Sequence, residues 1–98
     1  MRPFFRRPLP RPAWRMRPAA RAAMARLQQA NVWMAQGEFG RAAETFVELG
    51  EQAQAHGLPR APQLLLQAGR AYLMAGKNEA AVGCMRQGLH LMARLGQV

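Results

Sequence analysis

The chain of 98 residues is long enough for one small domain, which excludes most multi-domain enzymes. It carries 14 Lys and Arg against 5 Asp and Glu, a formal charge of +9, and its single cysteine excludes an internal disulfide and a multi-cysteine metal site. The charge is concentrated at one end, because residues 1–26 hold eight arginines and no acid, which leaves +1 for residues 27–98. A basic segment therefore precedes a nearly neutral body.

Residues 1–18 form the first predicted segment, an extended arm. They contain five of the seven prolines and none of the nine glycines, a composition that favours polyproline-like backbone over helix. Arginines interleaved with aromatic rings are suited to binding nucleic-acid phosphates and bases, an anionic membrane surface or an acidic groove of another protein. A fourth interpretation is that the arm is a solvated tail without a binding role. The candidate contact residues of the arm are Arg2, Phe4, Phe5, Arg6, Arg7, Arg11, Trp14, Arg15 and Arg17.

Two helices are predicted directly after the arm. Pro18 suits the first turn of a helix whose following residues, Ala19–Gln36, are mostly strong helix formers, and Gly37 ends that helix. In the next segment, Glu38–His56, apolar and small residues recur at i, i+3, i+4 and i+7. This spacing predicts an amphipathic helix.

Two more helices are predicted in the second half of the chain. The sequence Gly57-Leu58-Pro59 ends the second helix, and Pro62 opens a third that runs to Ala75. Gly76 repeats the break, and Asn78 is predicted as the N-cap of the fourth helix. Only five residues of the chain are β-branched, so no strand is predicted.

The second half repeats the first at an interval of 39 residues. The turn glycines recur at this interval, Gly37 with Gly76 and Gly57 with Gly96. Core-type residues recur in the same register, as Leu27-Gln28 with Leu66-Gln67, Trp33 with Tyr72, Met34 with Leu73, Ala42 with Ala81 and Phe46 with Met85. Agreement of both turns and of the apolar positions indicates a duplicated helix-turn-helix unit.

These residues resemble the tetratricopeptide repeat family, whose pattern is W-x2-L-G-x2-Y followed by A-x3-F after the turn. The matching positions are Trp33, Gly37 and Ala42-x3-Phe46 in one unit, and Gly69-x2-Tyr72, Gly76 and Ala81-x3-Met85 in the other. The period departs from the 34 residues of the family, and Arg26 replaces a large aromatic. The resemblance implies an all-α fold of two hairpins (four helices) in residues 19–98, with repeat 1 at about 19–57 and repeat 2 at about 58–96. They would form a short right-handed α-solenoid.

The resemblance also implies a concave groove lined by the first helix of each unit. The predicted groove residues are Met24, Leu27, Asn31, Met34, Gln63, Leu66, Arg70, Leu73 and Met74. Flexible methionines suit an apolar or amphipathic helix or an extended segment. Asn31 and Arg70 occupy equivalent places and are expected to bind a backbone amide and a carboxylate, respectively. The alternative is that these side chains are the core of an oligomer.

Two repeats leave apolar surface at the C-terminal end. At least three repeats are normally needed for stability, and a body of this size gains only roughly 3–5 kcal/mol from its own core. We expect association with another chain, most simply a symmetric copy. The predicted self-association residues are Val82, Met85, Leu89, Met92 and Leu95. Alternatively, the arm folds back and covers this surface with Phe4, Phe5, Leu9 and Trp14.

Catalysis is not predicted. The chain has no Ser and no Asp, and no residue set suggests a catalytic triad, a phosphate loop or a carboxylate pair. Cys84 lies on the packed stripe and is expected to be a small buried hydrophobe. His56 is expected to interact with the carbonyl groups at a helix end, and His90 is expected on the surface. The glutamates are expected to be solvated on helix surfaces. No metal, cofactor or small-molecule substrate is predicted.

The sequence thus favours a non-catalytic interaction module, an adaptor or small assembly subunit that binds a protein partner or self-associates. The alternatives are a nucleic-acid-associated accessory protein, whose arm contacts phosphates, and a peripheral membrane-complex subunit. Charged or polar residues interrupt every apolar stretch well before about 20 residues, so no transmembrane helix is predicted. Pro and Arg throughout the N-terminus argue against a secretory signal and favour the cytoplasm, and an organellar transit peptide is the alternative.

Overall fold

The computed structural model describes residues 17–96, within which the chain forms four helices and no strand. The helices are α1 (Pro18–Ala35), α2 (Phe39–Ala55), α3 (Ala61–Met74) and α4 (Asn78–Arg94). The predicted all-α fold of two hairpins is confirmed, with boundaries within about one residue of those expected. The arm contacts predicted from Arg2 to Arg15 lie outside the described residues.

The start of α4 corrects one prediction. Asn78 is the first helical residue, and Lys77 occupies the N-cap position without a side-chain capping hydrogen bond. The reason lies in the backbone, because the Lys77 carbonyl already accepts a hydrogen bond from the Ala81 N–H at 3.0 Å, the first i to i+4 bond of the helix. The prediction of Asn78 as the N-cap is therefore wrong by one residue.

The glycines predicted to end the helices have the left-handed backbone that this role requires. Their φ angles are 81° at Gly37, 66° at Gly57, 80° at Gly76 and 71° at Gly96. At the first turn, the Gly37 N–H donates to the Met34 carbonyl at 3.2 Å and the Glu38 N–H donates to the Trp33 carbonyl at 2.8 Å. The same pair of bonds recurs at the next two turns, so three successive helices end in a Schellman motif.

Successive helices pack on one another in chain order: α1 on α2, α2 on α3, and α3 on α4. The connections between them are short, so neighbouring helices run antiparallel. The starts of α1 and α3 consequently lie at the same end of the molecule as the C-terminus of α2. α1 and α4 occupy the two outer positions in this row.

Small residues allow the helices to approach closely, as the repeat pattern predicts. Ala30, Ala42 and Ala81 are fully buried. A Cβ built on Gly69 would lie 3.2 Å from the carbonyl oxygen of Ala81 and 2.6 Å from the Cγ of Met85. The contact between α3 and α4 therefore requires a residue without a side chain at this position.

Arg26 has a partner that the sequence did not indicate. Its guanidinium donates a hydrogen bond to the Glu48 carboxylate on α2, and the two side chains are 41% and 55% exposed. Glu48 is exposed, as expected of the glutamates, and it also pairs with Arg26. Arg26 thus joins α1 to α2 by a polar contact at the position where the resemblance expects an aromatic ring.

Candidate protein-binding surfaces

A groove with a volume of about 520 Å³ opens at one end of the molecule. It lies between the first halves of α1 and α3, with the second half of α2 as its floor. Its apolar lining comes from Ala19, Ala20, Ala23, Met24, Leu27, Leu49, Ala53, Leu58 and Leu64. We call this feature the α1–α3 groove. Its mixture of exposed and half-buried aliphatic side chains suits an apolar side chain from another segment.

The polar residues around the α1–α3 groove are basic or neutral. Arg17, His56, Arg60 and Gln52 complete its lining, and within residues 17–96 no acidic side chain contributes to it. Arg17 and Arg60 are the N-cap residues of α1 and α3, and neither helix has an acidic residue in its first turn. The partial positive charges of two helix N-termini therefore add to those of the arginines.

The nine predicted groove residues are distributed over more than one surface. Met24 and Leu27 line the α1–α3 groove, whereas Met74 lies in a separate depression beside the start of α2. Met34 is half-buried against the core, and Leu66 packs against Gly88 on α4. The remaining four, Asn31, Gln63, Arg70 and Leu73, are exposed.

Several lining residues were not predicted from the sequence, among them Leu49, Leu64 and Arg60. Leu49 and Leu64 are 5% and 8% exposed and read as ordinary core residues in the helical pattern. They border a groove only because α1 leaves space above α2 at this end. The sequence feature that could have pointed to this groove is the presence of basic residues, Arg17 and Arg60, directly before two predicted helices.

A second candidate surface lies on α4. Val82 and Leu89 are 49% and 57% exposed, and the neighbouring Met85 and Met92 are half-buried. We call these four residues the α4 open face. Leu95, which was predicted to belong with them, is 46% exposed at the end of the helix.

The internal repeat explains why the α4 open face is exposed. The residues 39 positions before Val82 and Leu89 are Ala43 and Gly50, and both are buried in α2. A Cβ built on Gly50 would lie 2.9 Å from the Leu65 side chain, so α3 covers this side of α2. Within the described chain, no helix covers the equivalent side of α4.

The position of Gln87 shows which way the α4 open face points. The Gln87 side-chain amide donates to the Gln54 side-chain oxygen on α2 at 3.0 Å, which fixes the side of α4 nearest the first hairpin. At about 100° per residue, Val82 and Leu89 lie on roughly the opposite side of the helix. The α4 open face is therefore directed away from the first hairpin.

The other end of the row, the outer side of α1, is more polar. The α1 residues equivalent to the buried Leu65 and Ala68 are Arg26 and Gln29, and Gln29 is exposed. Val32, which is 46% exposed, is the large apolar residue on this side. The two ends of the molecule are thus chemically different.

The groups with potential chemical reactivity are few in the described part of the chain. Burial raises the pKa of the Cys84 thiol, and the nearby Glu51 carboxylate raises it further, so less thiolate is present at neutral pH. His56 and His90 are both exposed. Within residues 17–96 no group of three His, Cys, Asp or Glu side chains is placed to hold a metal ion.

Comparisons with protein-family models, with curated proteins and with solved structures found no match to this chain. The resemblance to the tetratricopeptide repeat family therefore stays a prediction, carried by the residue pattern. Among the described helices, none is long and apolar enough to cross a membrane.

Proposed function

We propose that this chain is a non-catalytic interaction module, an adaptor or small assembly subunit that joins another polypeptide through the surfaces of its two helical hairpins. The observation that carries the proposal is the exposure of Val82 and Leu89 at positions whose counterparts in α2 are covered by α3. Burying one such side chain fully contributes about 1.5–3 kcal/mol. Association is thus a direct way to stabilise a body with so small a core.

A second copy of the chain is the simplest occupant of the α4 open face. Stacking α4 on the outer side of α1 of another copy would bury Arg26 and Gln29 against apolar residues, which is unfavourable. Pairing the open face with itself avoids this and closes the assembly as a dimer.

Sedimentation velocity of the full-length chain at micromolar concentrations tests this proposal. We expect a concentration-dependent dimer that Leu89→Glu abolishes, because the substitution introduces a charge into the apolar contact. Ala22→Glu is the matched control, since it adds the same charge to an exposed position of α1 and should leave the dimer intact. A wild-type chain that stays monomeric would contradict self-association through α4.

A second candidate function is nucleic-acid binding through the arm, favoured by the six arginines in residues 1–18. Phosphate neutralisation would release counterions, so affinity would fall steeply as salt rises. An apolar contact through α4 would respond little to the same change. A salt titration of binding to single-stranded oligonucleotides therefore separates the two functions.

A further inference from the structure

We infer that the α1–α3 groove binds an acidic amphipathic segment of a partner protein. Apolar side chains of that segment would enter between Met24, Leu27 and Leu64, and its carboxylates would bind Arg17 and Arg60. The inference rests on the proposed function as an interaction module. It concerns a different surface from the α4 open face and a different occupant.

The size and lining of the groove support the apolar part of this inference. A volume of about 520 Å³ lies within the roughly 300–1,000 Å³ range of ligand pockets and accommodates more than one aliphatic side chain. The lining combines firm and adaptable parts. Leu49 and Leu64 are held in the core, whereas Met24 is 41% exposed and free to adjust to the entering group.

The charges around the groove select an acidic occupant. Arg17 and Arg60 stand at the starts of two different helices, so a segment lying between them would be contacted from both sides. Arginine binds carboxylates through paired, charge-assisted hydrogen bonds. Because no acidic side chain of residues 17–96 lines the groove, carboxylates from a partner would meet no opposing charge there.

The same charges argue against the chain's own arm as the occupant. Residues 1–16 of the arm carry five arginines, and binding them in the groove would bring these charges beside Arg17 and Arg60, where like charges repel. A second copy is also a poor fit. Its acidic residues lie mainly on α2, whose apolar side is already buried between α1 and α3.

The experiment uses the full-length chain and three fluorescently labelled synthetic peptides, read by fluorescence anisotropy. The first peptide combines leucines and glutamates in an amphipathic pattern, the second replaces each glutamate with lysine, and the third replaces each leucine with serine. We expect binding of the first peptide only. Equal binding of the acidic and basic peptides, or no binding of the acidic one, would overturn the inference.

Two pairs of variants locate the binding site. The double variant Arg17→Ala/Arg60→Ala should weaken binding of the acidic peptide about tenfold or more. Its matched control, Arg86→Ala/Arg94→Ala on α4, should change binding less than about twofold. Met24→Glu should abolish binding, whereas Met74→Glu, at a methionine that is 57% exposed outside the groove, should not. Circular dichroism confirms that each variant is folded.

The remaining outcomes separate this inference from its alternatives. Replacing Phe4, Phe5 and Trp14 with alanine in the full-length chain should leave peptide affinity unchanged, and a clear rise would assign the groove to the arm instead. A chain that dimerises through α4 but binds no acidic peptide would overturn this inference and leave the proposed function intact. Loss of peptide binding in Leu89→Glu would also overturn it, because the groove would then depend on the dimer.

Discussion

Gly69 on α3 and Met85 on α4 are in such close contact that a Cβ added to Gly69 would lie 2.6 Å from the Cγ of Met85. The same Cβ would lie 3.2 Å from the backbone carbonyl oxygen of Ala81, which moves only with α4 itself. We therefore expect Gly69→Ala to lower the free energy of unfolding by about 1–2 kcal/mol, because the two helices must separate slightly. Urea denaturation followed by circular dichroism measures the change.

Gly83→Ala is the matched control for this prediction. Gly83 lies inside α4, is exposed, and has nothing within 4 Å of the position of an added Cβ. The higher helix propensity of alanine should raise the free energy of unfolding by roughly 0.5–1 kcal/mol. If both substitutions stabilised the protein equally, the close approach of α3 and α4 at Gly69 would be incorrect.

The elements of the fold were predictable because their signals are local or repeated. A glycine such as Gly37 or Gly76 marks a left-handed helix end without reference to tertiary structure, and the 39-residue interval doubles that signal. The contact between Arg26 and Glu48 was not predictable, because it depends on how α1 and α2 are rotated against each other. Charges 22 positions apart in the chain carry no pattern that reports this rotation.

The ion pair between Arg26 and Glu48 should contribute little to stability. Both side chains are substantially exposed, so solvent screens the attraction, and such pairs are typically worth 0–1 kcal/mol. A double-mutant cycle with Arg26→Ala and Glu48→Ala should give a coupling free energy in about that range, and high salt should remove most of it. A coupling that is large and insensitive to salt would mean that the pair is shielded from solvent.

The two candidate surfaces differed in how far the sequence predicted them. Val82 and Leu89 are exposed because no further helix among residues 17–96 covers α4, and the 39-residue repeat in the sequence already indicates which positions such a helix would cover. The α1–α3 groove depends on the space left between two helices that are not consecutive in the chain. Helical periodicity indicates that Met24 and Leu27 share a face, but the distance between that face and α3 is a tertiary property.

Cys84 should react slowly with alkylating reagents in the folded protein. Burial and the Glu51 carboxylate raise the pKa of its thiol above the ordinary value of 9.0, so the pH for half-maximal alkylation should lie above that value and return towards it in urea. Iodoacetamide labelling across a pH series, with and without urea, measures the midpoint of alkylation in the folded and the unfolded protein. A folded-state midpoint at or below the urea midpoint would contradict this prediction.

The raised pKa of Cys84 also predicts the direction of a stability change. The folded state holds the thiol proton more tightly than the unfolded state does, so this contribution to stability is present below pH 9.0 and is lost as pH rises further. Burial also raises the pKa of Tyr72, whose ordinary value is 10.0. Urea midpoints should therefore fall above about pH 9, and Cys84→Ala should reduce that fall.

Phe46 and Met85 are equivalent positions of the repeat, and their truncation should have unequal effects. Phe46 is 2% exposed in the centrally placed α2, whereas Met85 is half-buried on the outer helix. Phe46→Ala should cost about 3–5 kcal/mol, which approaches the whole stability expected for this small body, so the variant should be largely unfolded. In the monomer, Met85→Ala should cost only about 1–2 kcal/mol, because part of its side chain is in solvent when α4 is uncovered.

Phe46→Leu keeps the comparison measurable if the alanine variant does not fold, since a smaller loss of volume should cost about 1.5 kcal/mol or less. All variants must be compared at one protein concentration, because a dimer formed through α4 adds stability by mass action. Equal costs for Phe46→Ala and Met85→Ala would mean that the two hairpins are buried to the same extent. In that case Met85 would be covered by another chain in solution, and dilution should lower the cost at Met85 alone.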